Sequence, residues 1–165
     1  MAKVNVMSNT IVLIAVAVGG ACLAASAAET STNQSSTSLA PLGTVSVRYM
    51  VDDVDAAVAF YTNHLGFTLD LDSAPAFAAV VRGNLRLLLS GEKSSGRRPM
   101  PDGTKPVPGG WKRIQLPVSN IQAEAARLRA AGVKFRRDDI LTGAGGSQIW
   151  VVDTSGNLVE LFQPK

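Results

Sequence analysis

Asp153-Thr154-Ser155-Gly156-Asn157-Leu158-Val159-Glu160-Leu161-Phe162 stands near the C-terminus, and Arg82-Gly83-Asn84-Leu85-Arg86-Leu87-Leu88-Leu89 stands in mid-chain. Each sets Gly-Asn before an apolar run. That pair signals a hairpin, because both residues tolerate positive φ. Two copies of one hairpin indicate an internal duplication. Working outward, Val45 to Val51 is a strand-like run, followed by the helical pattern Ala56 to His64 and Gly66. Trp111 to Val118 is another such run, followed by the helical pattern Ile121 to Ala131 and Gly132. After each glycine comes a short apolar strand, Phe67 to Leu71 and then Val133 to Phe135. Pro75 to Val81, Leu85 to Leu89, Gln148 to Val152 and Leu158 to Phe162 supply the remaining strands. The order strand, helix, three strands thus occurs twice.

Val51-Asp52-Asp53-Val54-Asp55, Phe60-Tyr61, His64-Leu65-Gly66-Phe67 and the closing Asp153 to Leu161 stretch resemble the vicinal oxygen chelate superfamily. That group holds glyoxalase I, extradiol dioxygenases, fosfomycin-resistance enzymes and bleomycin-resistance proteins. The resemblance covers roughly residues 44 to 163. It implies an α+β fold: two βαβββ repeats forming a curved, mostly antiparallel eight-stranded sheet, a cup, with two helices outside. The family spans several chemistries and some members only bind, so fold does not settle function.

The chain has 165 residues, enough for one domain with a proper core. Net charge is +3, and without the leader's Lys3 the balance is 15 basic against 13 acidic residues. So small an excess, without aromatic residues interleaved among the basic ones, argues against nucleic-acid binding. Residues 1–28 read as an export signal: Lys3, an apolar Ile11 to Val18 segment, and the small residues Ala25-Ser26-Ala27-Ala28. The apolar run is short for a membrane span, and an uncleaved anchor is the alternative. Cys22, the only cysteine, lies within this signal, so no disulfide forms within one chain. Gly19-Gly20-Ala21-Cys22 partly resembles a lipoprotein box, which would anchor the chain to a membrane through Cys22. Either way the domain works outside the cytoplasm. Residues 29–43, rich in Ser, Thr, Asn and Gln, read as a disordered linker. The domain runs over 44–165, with repeats at about 44–90 and 110–163 joined by 91–109.

Along Val45 to Val51, the residues Val47, Tyr49 and Val51 take the face packed under a helix, and Ser46, Arg48 and Met50 take the other. In the second copy Lys112, Ile114, Leu116 and Val118 share one face; Trp111, Arg113, Gln115 and Pro117 share the other. Asp53 and Asn120 are helix N-caps. Val54, Val58, Tyr61 and Leu65 form one buried stripe; Ile121, Ala125, Leu128 and Ala131 form the second. His64, the only histidine, sits at a helix end and reads as structural, because one imidazole makes a poor metal site. Ser90 to Gly110 carries four prolines and five glycines. So long a loop is functional or disordered, and here it is either a lid over the cup or a plain connector.

Metal-using members of the resembled family hold their ion at four positions, one in the first and one in the last strand of each repeat. Those positions fall on Ser46, Arg113, Leu87 and Glu160. Only Glu160 matches a ligand. Arg113 beside it reads as a guanidinium forked onto the carboxylate in place of a metal. The leading expectation is therefore a cup that binds a small anionic or carbonyl-bearing molecule, with no cofactor. Its polar groups are Ser46, Arg48, Arg113, Gln115 and Glu160. Its apolar lining is Met50, Leu87, Leu89, Trp150, Val152 and Phe162. The alternative is a divalent-metal enzyme, a lyase or dioxygenase, with Glu160 as a metal ligand. A homodimer with shared pockets is compatible with both.

Overall fold

The structure, a computed structural model, describes residues 44–165. The expected leader (1–28) and linker (29–43) lie outside the described residues. The first repeat gives β1 (Val45–Met50), α1 (Val54–Leu65), β2 (Thr68–Ser73), β3 (Phe77–Arg82) and β4 (Leu85–Ser90). The second gives β5 (Arg113–Pro117), α2 (Ile121–Ala130), β6 (Lys134–Phe135), β7 (Leu141–Gly143), β8 (Gly146–Val152) and β9 (Leu158–Pro164). Among the described residues no helix is long and apolar enough to cross a membrane.

Local chemistry sets both helices. The Asp53 carboxylate accepts from the Ala56 N–H at 3.0 Å and starts α1. Gly66, at φ 68°, ends it in the left-handed conformation and donates its N–H to the Tyr61 carbonyl. Asn120 caps α2 in the same way, through the Ala123 N–H at 2.9 Å. The buried face of α1 is Val54, Ala57, Phe60, Tyr61 and Leu65, with Val58 only half-buried. In α2 it is Ile121, Ala125 and Leu128, and Ala131 falls outside the stripe, exposed. One apolar core runs under both repeats.

The eight-stranded sheet is replaced by two mixed sheets. One has the order β1-β4-β3-β2; the other runs β5-β9-β8-β6, with β7 paired to β8 as a fifth strand. In each, the first strand of the repeat lies parallel to the last, and the remaining pairings are antiparallel. The hydrogen bonds that cross between the described halves each use a side chain. The Tyr49 hydroxyl accepts from the Ile114 N–H and donates to the Leu158 carbonyl, both at 2.9 Å. The Tyr61 hydroxyl donates to Asp153 at 3.1 Å, and the Asn157 amide donates to the Met50 carbonyl at 2.9 Å.

The two Gly-Asn hairpins differ in length. Arg82 pairs with Leu85, so Gly83-Asn84 is a two-residue turn. Val152 pairs with Leu158, so Asp153 to Asn157 is a five-residue turn. In the longer turn Asp153 is 4% exposed. Its carboxylate accepts from the N–H groups of Ser155 and Asn157, from the Asn157 side-chain amide and from Tyr61. A buried carboxylate persists because every lone pair finds a donor.

This difference shifts the register between repeats. Val51 N–H bonds the Ser90 carbonyl at 3.0 Å, and Val118 N–H bonds that of Phe162 at 2.9 Å, so those positions are equivalent. Counting back, Arg48 lies beside Leu88 where Gln115 lies beside Glu160. The counterpart of Glu160 is therefore Leu88, and Leu87 is corrected off the cup. Leu87 pairs with Val47 and Val80, belongs to the core and is 0% exposed, as is Leu89. A one-residue slip sends a side chain to the opposite face.

Candidate functional site

The register defines the face away from the core. In the first sheet it carries Ser46, Arg48 and Met50 on β1, Leu88 and Ser90 on β4, and Phe77 on β3. In the second it carries Arg113 and Gln115 on β5, Glu160 and Phe162 on β9, and Trp150 and Val152 on β8. The expected residues thus share this face, Leu87 and Leu89 excepted.

Glu160 anchors the second sheet's share. It is 4% exposed. Arg113 Nε donates to Oε2 and Gln115 Nε2 to Oε1, each at 2.6 Å, and Trp150 Nε1 reaches Oε2 at 3.1 Å. With its amide oriented by hydrogen bonding, Gln148 adds its nitrogen at 3.2 Å and 3.1 Å from the two oxygens. The Arg113 guanidinium lies 4.4 Å from the Trp150 ring centroid, a cation–π stack. Burial pushes the Glu160 carboxyl up. The hydrogen bonds from Gln115 and Arg113, the charge of Arg113 and the Trp150 N–H outweigh it and hold the group below the usual glutamate value. Glu160 is therefore a fixed anion and a poor general base at neutral pH.

The donor set does not fit a divalent ion. Of the four family positions, Ser46 offers a hydroxyl, Leu88 offers nothing, Arg113 brings a positive charge, and the Glu160 oxygens are already engaged by N–H donors. Among the described residues no three His, Cys, Asp or Glu side chains converge. A metal here would have to displace a charge-assisted pair and face a guanidinium.

The first sheet behaves differently. Arg48 Nη1 donates to Ser90 Oγ at 2.5 Å and its guanidinium lies 5.6 Å from the Phe77 centroid; among the described residues no carboxylate lies within ion-pair distance of it. A cavity of about 590 Å³ opens between β1 and β5. Arg48, Met50, Lys112 and Arg113 line it, and Pro106, Val107 and Gly109 of the inter-repeat loop border it. The loop is tied at both ends. Arg97 Nη1 donates to the Val51 carbonyl at 2.9 Å, and the Gly109 N–H donates to Asn157 Oδ1 at 2.8 Å. Of the expected cup residues, Arg48, Met50 and Arg113 meet in this cavity. Ser46, Gln115, Trp150, Glu160 and Phe162 share the face but do not line it.

Lys112 and Asn157 are cavity residues that the sequence reading did not select. Alternation over Trp111 to Val118 assigns Lys112 to the packed face. Because β5 begins only at Arg113, Lys112 is free of that alternation. Asn157 could have been found from its Gly-Asn context, since a polar residue flanking a buried strand needs partners. His64 sits as expected at the end of α1, edge-on to Phe60, with its carbonyl accepting from Arg127 at 2.6 Å.

A βαβββ unit beside a second unit with one strand more, sharing this face, defines a class. Residues 43–161 match the model of the Glyoxalase/Bleomycin resistance protein/Dioxygenase superfamily, and the chain belongs to that superfamily. No curated protein matches it. Among solved structures it is similar to a member of the same superfamily from Sphaerobacter thermophilus, with 27% identity over 73% of this chain and 95% of that one and a TM-score of 0.59. It is also similar to an antibiotic binding protein from a Streptomyces species, with 25% identity, 74% and 95% coverage and a TM-score of 0.57. A lactoylglutathione lyase from Agrobacterium tumefaciens shares the fold, with 20% identity, 74% and 94% coverage and a TM-score of 0.60.

Proposed function

We propose that this chain is a binding protein for a small anionic or carbonyl-bearing molecule, held between β1 and β5 beneath the inter-repeat loop. The observation that carries this reading is the cavity itself: about 590 Å³, with Arg48, Lys112 and Arg113 in its lining and, among the described residues, no acidic side chain. That volume suits a drug-sized ligand, and apolar groups with a few placed cations make up a typical small-molecule site. Arg113 is held in place by Glu160, and Arg48 is left to meet the ligand. Similarity to an antibiotic binding protein at 25% identity supports binding as the activity. With residues 1–28 acting as an export leader, binding takes place outside the cytoplasm; lipidation at Cys22 or an uncleaved leader would hold it at a membrane. A homodimer is compatible with this arrangement.

Calorimetric titration of wild type and Arg48→Ala with a panel of small carboxylates and phosphates tests the reading. Saturable binding weakened about tenfold or more by Arg48→Ala is expected, from loss of one charge-assisted contact. Anion binding that ignores Arg48, or no binding by any anion, overturns it. The competing metal-enzyme reading is checked by elemental analysis of protein purified without chelator. A stoichiometric ion, with melting lowered by chelator, would restore Glu160 as a ligand.

A further inference from the structure

Trp111 is 67% exposed, although an indole is among the costliest side chains to leave in water. The Arg136 guanidinium lies 5.3 Å from its ring centroid. Together with Val152, Leu158, Gly110 and Gly156 these two residues line a separate cavity of about 240 Å³. That is below the range of a site for a whole drug-sized ligand and suits one portion of a molecule. Among the described residues its lining holds one cation, Arg136, and no acid.

The two cavities are neighbours. Gly109 and Asn157 line the larger, and Gly110 and Gly156 line the smaller. Gly109-Gly110 meets the turn between them. The Gly109 N–H is bonded to Asn157 there, and a Cβ placed on Gly109 would sit 3.5 Å from the Gly156 carbonyl oxygen. Gly109 and Gly110 stand at φ 87° and 88°, a conformation that glycine adopts freely. The Asn157 side chain, fully engaged by the Gly109 N–H, the Met50 carbonyl and Asp153, is the side chain that stands at this junction. Arg113 also joins them, since it lines the larger cavity and its Nη1 lies 3.4 Å from the Trp111 carbonyl oxygen.

We propose that Trp111 and Arg136, with Val152 and Leu158, form a second subsite that takes a planar aromatic group of the same ligand whose anionic end meets Arg48, Lys112 and Arg113. The inference rests on the anion-binding reading above and narrows its ligand class to aromatic acids long enough to cross the Gly109-Gly110 wall. The indole and guanidinium supply stacking surfaces, and Val152 and Leu158 supply apolar contact.

The test titrates the full protein with two series. One is short aliphatic carboxylates with inorganic phosphate; the other is naphthylalkyl carboxylates of increasing chain length. Tryptophan fluorescence and calorimetry are read together. The naphthyl acids are expected to bind about tenfold more tightly than the aliphatic ones, the scale of an added aromatic contact. Trp111→Ala and Arg136→Gln should each reduce that gain and leave phosphate binding unchanged. Trp111 is so exposed that its truncation should leave the melting temperature near wild type. A naphthyl gain that is absent, or that survives Trp111→Ala, overturns the second subsite while the anion site stands. Wild-type protein that binds none of the acids refutes the anion reading and this inference with it.

Discussion

Gly83-Asn84 and Gly156-Asn157 are the same dipeptide in equivalent hairpins, yet they do different work. The first is the whole of a two-residue turn, and its Asn84 is exposed. The second closes a five-residue turn whose Asn157 is 3% exposed. It is bonded to Met50, to Asp153 and to Gly109 of the loop. The extra length turns a reversal of direction into a junction, where α1, the end of β1 and the loop all attach. Duplicated backbone signals preserve an architecture, while turn length and the side chains facing the cavity are where the copies part.

The largest effect expected from this contrast is at Asp153. Asp153→Ala leaves the Tyr61 hydroxyl and the Asn157 amide groups without their acceptor, and should cost about 3 kcal/mol. Asn84→Ala in the short turn should cost about 0.5 kcal/mol or less. Urea denaturation compares them, and equal losses would erase the distinction between the turns.

Next is the divergence of Leu88 and Glu160. Glu160→Gln should cost about 2 kcal/mol through the charged hydrogen bonds to Arg113 and Gln115. The pH dependence has a definite sign. The folded carboxyl is depressed, so its contribution is full above the ordinary glutamate value of about 4.3 and is lost as pH falls below it. Urea midpoints followed as pH is lowered below about 4.3 should therefore drop more steeply for wild type than for Glu160→Gln. Parallel slopes would mean that the pair adds nothing.

A smaller effect than at Asp153 or Glu160 concerns Tyr49. Burial first, then the charge of Asp153, pushes its phenol up to about 12 against the Ile114 N–H and Arg113, which lower it. Stability from the neutral phenol should be complete below about pH 10, the unfolded value, and fall as pH rises toward about 12. Burial and Asp153 raise Tyr61 as well, so tyrosinate absorbance should stay low at pH 10 until the chain unfolds. Tyr49→Phe should cost about 1 kcal/mol, the scale of one buried hydroxyl's hydrogen bonds. An unchanged midpoint would mean that the hydroxyl adds nothing across the seam.

Most of the fold was legible because its signals are local. Asp53, Gly66 and Asn120 delimit the helices by capping chemistry acting within a few residues, and strand alternation separates Tyr49 from Arg48. The Arg113–Glu160 pair was legible too, because equivalent strands bring the two positions together. Leu87 falls on the core face because the two Gly-Asn pairs do not stand at equivalent strand positions. Turn length is a matter of which residues pair, and the sequence does not write that down. Lys112 was missed for a similar reason, since alternation carries no information before a strand begins. The separation of the sheets was hidden as well, because it depends on how two edges meet.

That meeting carries a consequence for how the domain can change. A backbone ladder is indifferent to most substitutions, since every residue but proline offers the same donor and acceptor. Here each polar contact between the described halves uses a side chain, among them the Tyr49 hydroxyl, the Tyr61–Asp153 bond, the Asn157 amide and Arg127 on the His64 carbonyl. Each is a single codon away from removal. The coupling of the halves is thus heritable residue by residue, and selection can loosen or tighten the cleft between them without redrawing either sheet.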